Sequence, residues 1–160
     1  YAHTDLHSRK VLYHGICIGS ATSLYALTSP EVPDYVEGMV AEGMFTSFPE
    51  IYRTHMIAQH RPVYPVLWEG MWLLHLRAGV SPYKLCPEKR IGTLRRPILM
   101  LCGREDIYSL PDKSQRLYDL CQADKTIVWF DHGDHSHLRL ADPEKYDGAV
   151  AAFVRSHFAD

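Results

Sequence analysis

Three side chains of this sequence are of the types that nucleophilic acyl transfer uses: Cys17, Asp106 and His135. Cys17 is the centre of Gly15-Ile16-Cys17-Ile18-Gly19, one residue (His14) after the apolar run Val11-Leu12-Tyr13. This is the G-x-S-x-G pattern of a nucleophile elbow with cysteine in the serine place. In such an element a strand turns sharply into a helix and lifts its central side chain from the end of a sheet. Both flanking glycines are expected to be required, because a larger residue would collide with neighbouring backbone. Asp106 lies in Gly103-Arg104-Glu105-Asp106, ahead of Pro111, and His135 lies in Asp131-His132-Gly133-Asp134-His135-Ser136.

Each of the three has rivals. Glu105 stands beside Asp106, and Glu42 is a carboxylate at another strand end. His132 and His137 flank His135, and the cluster His132-x-Asp134-His135-x-His137 also reads as a metal site, since imidazole and carboxylate bind zinc well. Its spacing is not that of H-E-x-x-H, and no second ligand cluster accompanies it. A lone cysteine is often an inert buried side chain, and an aspartate after a strand often caps a turn. His14, just before the elbow, reads as a sheet residue.

The elements that must position these groups alternate along the chain. Lys10 to Ile16, Val36 to Ala41, Pro97 to Cys102 and Thr126 to Phe130 read as short buried strands. Gly19 to Leu27 and Ser109 to Leu120 read as helices, the second with Leu117 and Leu120 inward. A last helix opens on Asp142 as N-cap and Pro143, and runs to about His157 with Tyr146, Val150, Phe153 and Val154 on one face. Strands alternating with helices predict an α/β domain with a parallel sheet of about four strands. In open parallel sheets functional groups gather at the carboxyl ends of strands, where Cys17, Asp106 and His135 all fall. Segment 49–80 departs from the alternation: it is helical, aromatic and methionine-rich. It reads as a crossover packing its aromatic residues inward, as a cap over a cleft, or as both. Trp68 and Trp72 are its pocket-lining candidates; packing is the plainer reading of both.

Composition narrows the partners. A hydrophobic share of 46% and a charged share of 22% describe a globular chain, and a net charge of −2 gives no basic surface for nucleic acid or anionic lipid. The apolar runs stop far short of the ~20 residues that span a bilayer. Cys17, Cys86, Cys102 and Cys121 form no C-x-x-C pair, which fits reduced thiols and a cytoplasmic location.

Read together, "GICIGSAT", "RPILMLCGREDIYSLPDKSQRLY" and "TIVWFDHGDHSHLRLADPEKYDGAVAAFV" resemble the elbow, the acid turn and the histidine loop of the α/β-hydrolase superfamily, in that family's order of nucleophile, acid, histidine. The resemblance runs over essentially all 160 residues and is to the C-terminal half of the fold. Cysteine at the elbow is similar to the dienelactone hydrolase branch, and the helical insert to serine-dependent esterase-like members. The resemblance implies acyl transfer without a cofactor. His135 would take the thiol proton, Cys17 would attack a carbonyl, and Asp106 would orient the imidazole and stabilise its charged form. A helix N-terminus and an adjacent histidine both favour thiolate over thiol. The Ile18 N–H would donate to the oxyanion.

The same resemblance exposes a gap, because the family has further strands before the elbow strand, one of whose loops gives the second oxyanion donor. The first strand would otherwise be an open edge. The chain is therefore expected to be a fragment, to be completed by a second chain or by a homodimer across that edge, or to be a non-catalytic binding or dimerisation module with a residual triad. Ester, thioester and lactone substrates stay equally open. Arg53, Arg61 and Arg77 are candidates to meet a carboxylate, with surface solvation as the alternative.

Overall fold

The computed structural model describes residues 9–158. Strands β1 (Val11–Ile16), β2 (Val36–Glu42), β3 (Ile98–Gly103) and β4 (Lys125–Phe130) form one sheet in the order β1-β2-β3-β4, with every neighbouring pair parallel. Parallel neighbours need crossovers, and the helices supply them. These are α1 (Ile18–Leu27), α2 (Phe48–Ala58), α3 (Val66–Ala78), the short α4 (Pro87–Arg90), α5 (Pro111–Leu120), the short α6 (Leu138–Ala141) and α7 (Pro143–Phe158).

The strand side chains alternate between two cores. Met39, Ala41, Ile98 and Met100 face Leu24 of α1 and Leu117 of α5, whereas Val40, Leu99 and Leu101 face Tyr146 and Phe153 of α7. Both faces are covered, so all six residues of β3 are buried and its sequence shows no polar alternation. The fold class read from the sequence is the one observed, and each strand end lies within one residue of expectation. β1 and β4 are the sheet's edges. Among the described residues no helix is long and apolar enough to cross a membrane.

Segment 49–80 is helical as read, in two helices broken by residues 59–65, where Pro62 and Pro65 remove backbone donors. Ser47 caps the first of them by accepting from the Glu50 N–H at 3.4 Å. One local expectation needs correction: Leu120, expected inward, is at the last position of α5 and is 38% exposed. The cap of α7 is as expected, with Asp142 Oδ1 accepting from the Lys145 N–H at 3.0 Å.

Candidate active site

The turn between β1 and α1 has the geometry of a strained elbow. Cys17 is at φ 51°, a left-handed conformation that side chains with a Cβ rarely adopt and that costs on the order of 1–3 kcal/mol. Hydrogen bonds on both sides hold it there. The Cys17 N–H donates to the Glu42 carbonyl at 2.8 Å, and the buried Ser20 hydroxyl lies 2.6 Å from the Gly15 carbonyl and 2.9 Å from that of Glu42. Ser20 thereby ties the ends of β1 and β2 to the first turn of α1.

Only one of the two elbow glycines is sterically required. A Cβ on Gly15 would lie 2.4 Å from the Gly19 carbonyl carbon and 2.5 Å from the Ser20 nitrogen, both backbone atoms that cannot swing away. A Cβ on Gly19 would meet nothing within 4 Å, so the sequence expectation holds for Gly15 and fails for Gly19. Gly15→Ala is expected to destabilise the fold by about 1–3 kcal/mol through overpacking, and Gly19→Ala by much less. Urea unfolding of the two variants side by side checks this.

The acid and the histidine meet as expected. The His135 Nδ1–H donates to Asp106 Oδ2 at 2.8 Å, and Asp106 Oδ1 accepts from the Tyr108 and Ser109 backbone N–H groups, each at 2.8 Å. The carboxylate is thus fixed by its own turn before it holds the imidazole. Gly43, in the turn just past β2, makes room for the ring. It is at φ 57°, and a Cβ there would lie 3.1 Å from His135 Cε1 and 3.2 Å from Nδ1. The Gly43 carbonyl in turn accepts from the Ser109 hydroxyl at 2.7 Å.

The far side of the imidazole has the properties of a base awaiting a proton. His135 Nε2 is buried and has no aligned hydrogen-bond partner among the described residues. Burial by itself disfavours the charged ring, yet the hydrogen bond and charge of Asp106, with the nearby Cys17 sulfur, outweigh it and push His135 up to about 10. Cys102 shows the opposite environment. Burial in the sheet, only partly offset by a hydrogen bond with Ser114, pushes its thiol up to about 12. All four cysteines are free.

The rival residues have partners of their own. Glu42 is buried, but its carboxylate accepts from the Tyr146 hydroxyl at 2.7 Å and the Leu138 N–H at 3.3 Å, not from His135. Burial and this carboxylate together raise the Tyr146 hydroxyl. The same hydroxyl is 2.8 Å from His14 Nε2, which makes His14 a partner of this buried network rather than an isolated sheet residue. Glu105 is turned outward, with His132 Nδ1 3.9 Å away. His137 pairs with Asp134 at 2.9 Å, so the three histidines of the loop go to three different carboxylates. Among the described residues no group of three ligating side chains could hold a metal ion.

A cavity of about 810 Å³ opens beside the elbow. Cys17 and Ile18 form one part of its wall, Ile51 and Met56 of α2 another, and Met71 and Leu74 of α3 a third. The β2–β3 connection is therefore also the wall of the space that Cys17 faces. Ile18 is the first residue of α1, where a helix leaves its N–H groups without internal partners. Trp68 and Trp72 do not line the cavity and are 64% and 58% exposed. His55 does line it, its ring 4.1 Å from that of Tyr108 and 6.1 Å from that of His135 between centroids. Its one sequence signal is its place on α2, four residues past the buried Ile51.

No family model matches the chain. It is 25% identical over 150 residues to the uncharacterized protein YqkD of Bacillus subtilis, a match that covers 92% of this chain and 48% of that protein. Among solved structures it is similar to a Pyrococcus furiosus esterase, with a TM-score of 0.72 at 13% identity over 94% of this chain and 55% of that one. It is also similar to MGS-MChE2, an α/β-hydrolase enzyme from lagoon sediments at Mar Chica, Morocco, with a TM-score of 0.66 at 16% identity over 96% of this chain and 65% of that one. For the acylaminoacyl peptidase of Pyrococcus horikoshii the TM-score is 0.62 at 18% identity, over 91% of this chain and 23% of that one. These likenesses show that the chain has the α/β-hydrolase fold, of which it spans a part. It covers about half the length of the curated relative it matches.

Proposed function

We propose that this chain carries the catalytic residues of a hydrolase that cleaves an ester, thioester or lactone through Cys17, His135 and Asp106. The observation that carries the reading is the 2.8 Å His135–Asp106 pair with a buried, unpartnered Nε2 next to Cys17. In the first step Cys17 gives its proton to His135 Nε2, and the sulfur attacks the carbonyl carbon. The Ile18 N–H donates to the oxygen as it becomes negative. The bond to the leaving oxygen or sulfur then breaks, and that atom takes the proton from His135. In the second step His135 takes a proton from water, the hydroxide oxygen attacks the thioester carbon, and the acid leaves as Cys17 recovers its proton. Asp106 stabilises the imidazolium. The free thiols at all four cysteines support a reducing, cytoplasmic setting.

The acyl-enzyme is the testable intermediate. Incubation with 4-nitrophenyl butyrate at neutral pH is expected to add one butyryl mass to the peptide holding Cys17. Cys17→Ala is expected to abolish both the adduct and turnover. If no adduct forms, and iodoacetamide reaches Cys17 only in denaturant, the nucleophile assignment is lost.

A further inference from the structure

Several arginines of this protein are answered by acids: Arg104 by Asp131 at 2.9 Å, Arg139 by Asp147 at 2.7 Å, Arg116 by Glu88, and Arg53 by Glu50 at 3.9 Å. Arg61 and Arg77 are not. Arg61 follows the end of α2 and Arg77 is in the last turn of α3, and both line the cavity that Cys17 faces. Neither side chain has an ion pair or hydrogen bond among the described residues. No acidic side chain lines the cavity among those residues, and its polar wall also includes Tyr52, His55 and Gln59.

A guanidinium stays charged at every working pH, so this largely apolar space holds two fixed positive charges and no negative one. Low-dielectric walls focus such a field and concentrate anions within the cleft. Both arginines are exposed, so a neutral substrate would satisfy the apolar wall and leave their guanidiniums to solvent. An amphipathic anion satisfies both.

We infer that the acyl group taken by this site bears an anion, a carboxylate or a phosphate, separated by an apolar stretch from the carbonyl that Cys17 attacks. The inference rests on the acyl-transfer reading for its chemistry, and on Arg61 and Arg77 for its charge. Arg53, paired with Glu50 and away from the cavity wall, has no part in it.

Two esters of equal chain length test it: the 4-nitrophenyl monoester of hexanedioic acid and 4-nitrophenyl hexanoate. The charged ester is expected to have about tenfold higher kcat/KM at low salt. That ratio should shrink towards one near 1 M NaCl, where screening acts within ~3 Å. Arg61→Gln and Arg77→Gln, made singly, are expected to lower the ratio through KM of the charged ester, the larger drop marking the arginine that meets the anion. Hexanoate and hexyl phosphate, compared as competitors, tell carboxylate from phosphate by which one loses more affinity in those variants. Equal turnover of the two esters, or a ratio indifferent to both substitutions, overturns the inference. Calorimetric binding of hexanedioate and hexyl phosphate to the Cys17→Ala protein separates the two levels. Arginine-dependent binding without turnover in the unsubstituted protein sinks acyl transfer alone, and turnover without charge preference sinks the anion site alone.

Discussion

His135→Ala is expected to lower acyl transfer by about 10²–10⁴, the range that a positioned acid–base group contributes. It is also expected to slow alkylation of Cys17 by iodoacetamide at neutral pH. Both effects follow from where the ring's proton is held. Asp106 receives Nδ1–H at 2.8 Å, so only Nε2 can exchange a proton with the thiol, and Nε2 is buried with no competing partner. Against the cost of burial, Asp106 and Cys17 push the ring up to about 10, so that a proton passed to it from the thiol is held at neutral pH. Without the ring, Cys17 retains only the N-terminus of α1, whose dipole is worth about 0.3–1 kcal/mol. Alkylation rates in the two proteins, measured with the fold checked by circular dichroism, decide the matter. Equal rates would mean that the imidazole does not act on the sulfur.

Short-range patterns carried most of this site. Cys17, Asp106 and His135 each sit just past a strand whose apolar run ends at a glycine or a turn, so sheet topology alone brings them to one edge. Asp106 could be preferred over Glu105 because its carboxylate can accept from the N–H groups two and three residues on, as it does from Tyr108 and Ser109. What the sequence concealed depends on how separate segments approach. Gly43 matters because His135, from a distant loop, comes within 3.1 Å of where its Cβ would be, and nothing near Gly43 in the chain announces that. Gly19 shows the converse, a pattern glycine whose Cβ would meet open space. In the helical insert, the break at residues 59–65 changes which faces point inward. Trp68 and Trp72, a stripe at helical spacing, end up exposed, while His55, Arg61 and Arg77 reach the cavity. Helical periodicity tells which residues share a face, and only the docking of α2 and α3 tells which face is inside.

Asp106→Asn is expected to cost about 10⁴ in turnover, the size of the effect when the same exchange is made in the serine protease triad. The amide side chain introduced there can still accept from the Tyr108 and Ser109 N–H groups through its one carbonyl oxygen, so the turn survives. Its NH₂ then faces His135 Nδ1. Two donors cannot pair, so the ring moves its proton to Nε2 and accepts at Nδ1. That tautomer presents N–H to Cys17, where a lone pair is needed, and the base is lost with the geometry intact. Stability carries a second signature, with a definite sign. Folding raises His135 from its ordinary 6.5 to about 10, so the stabilisation of its charged form is complete below about pH 6.5 and is lost as pH rises towards 10. In the Asp106→Asn protein the largest cause of that rise is gone while burial still opposes the charge. The wild-type protein should therefore lose more stability than the variant between pH 6 and pH 9 in urea titrations. A variant whose stability falls as steeply as the wild type, with turnover intact, would show that Asp106 neither holds the proton on His135 nor sets its tautomer.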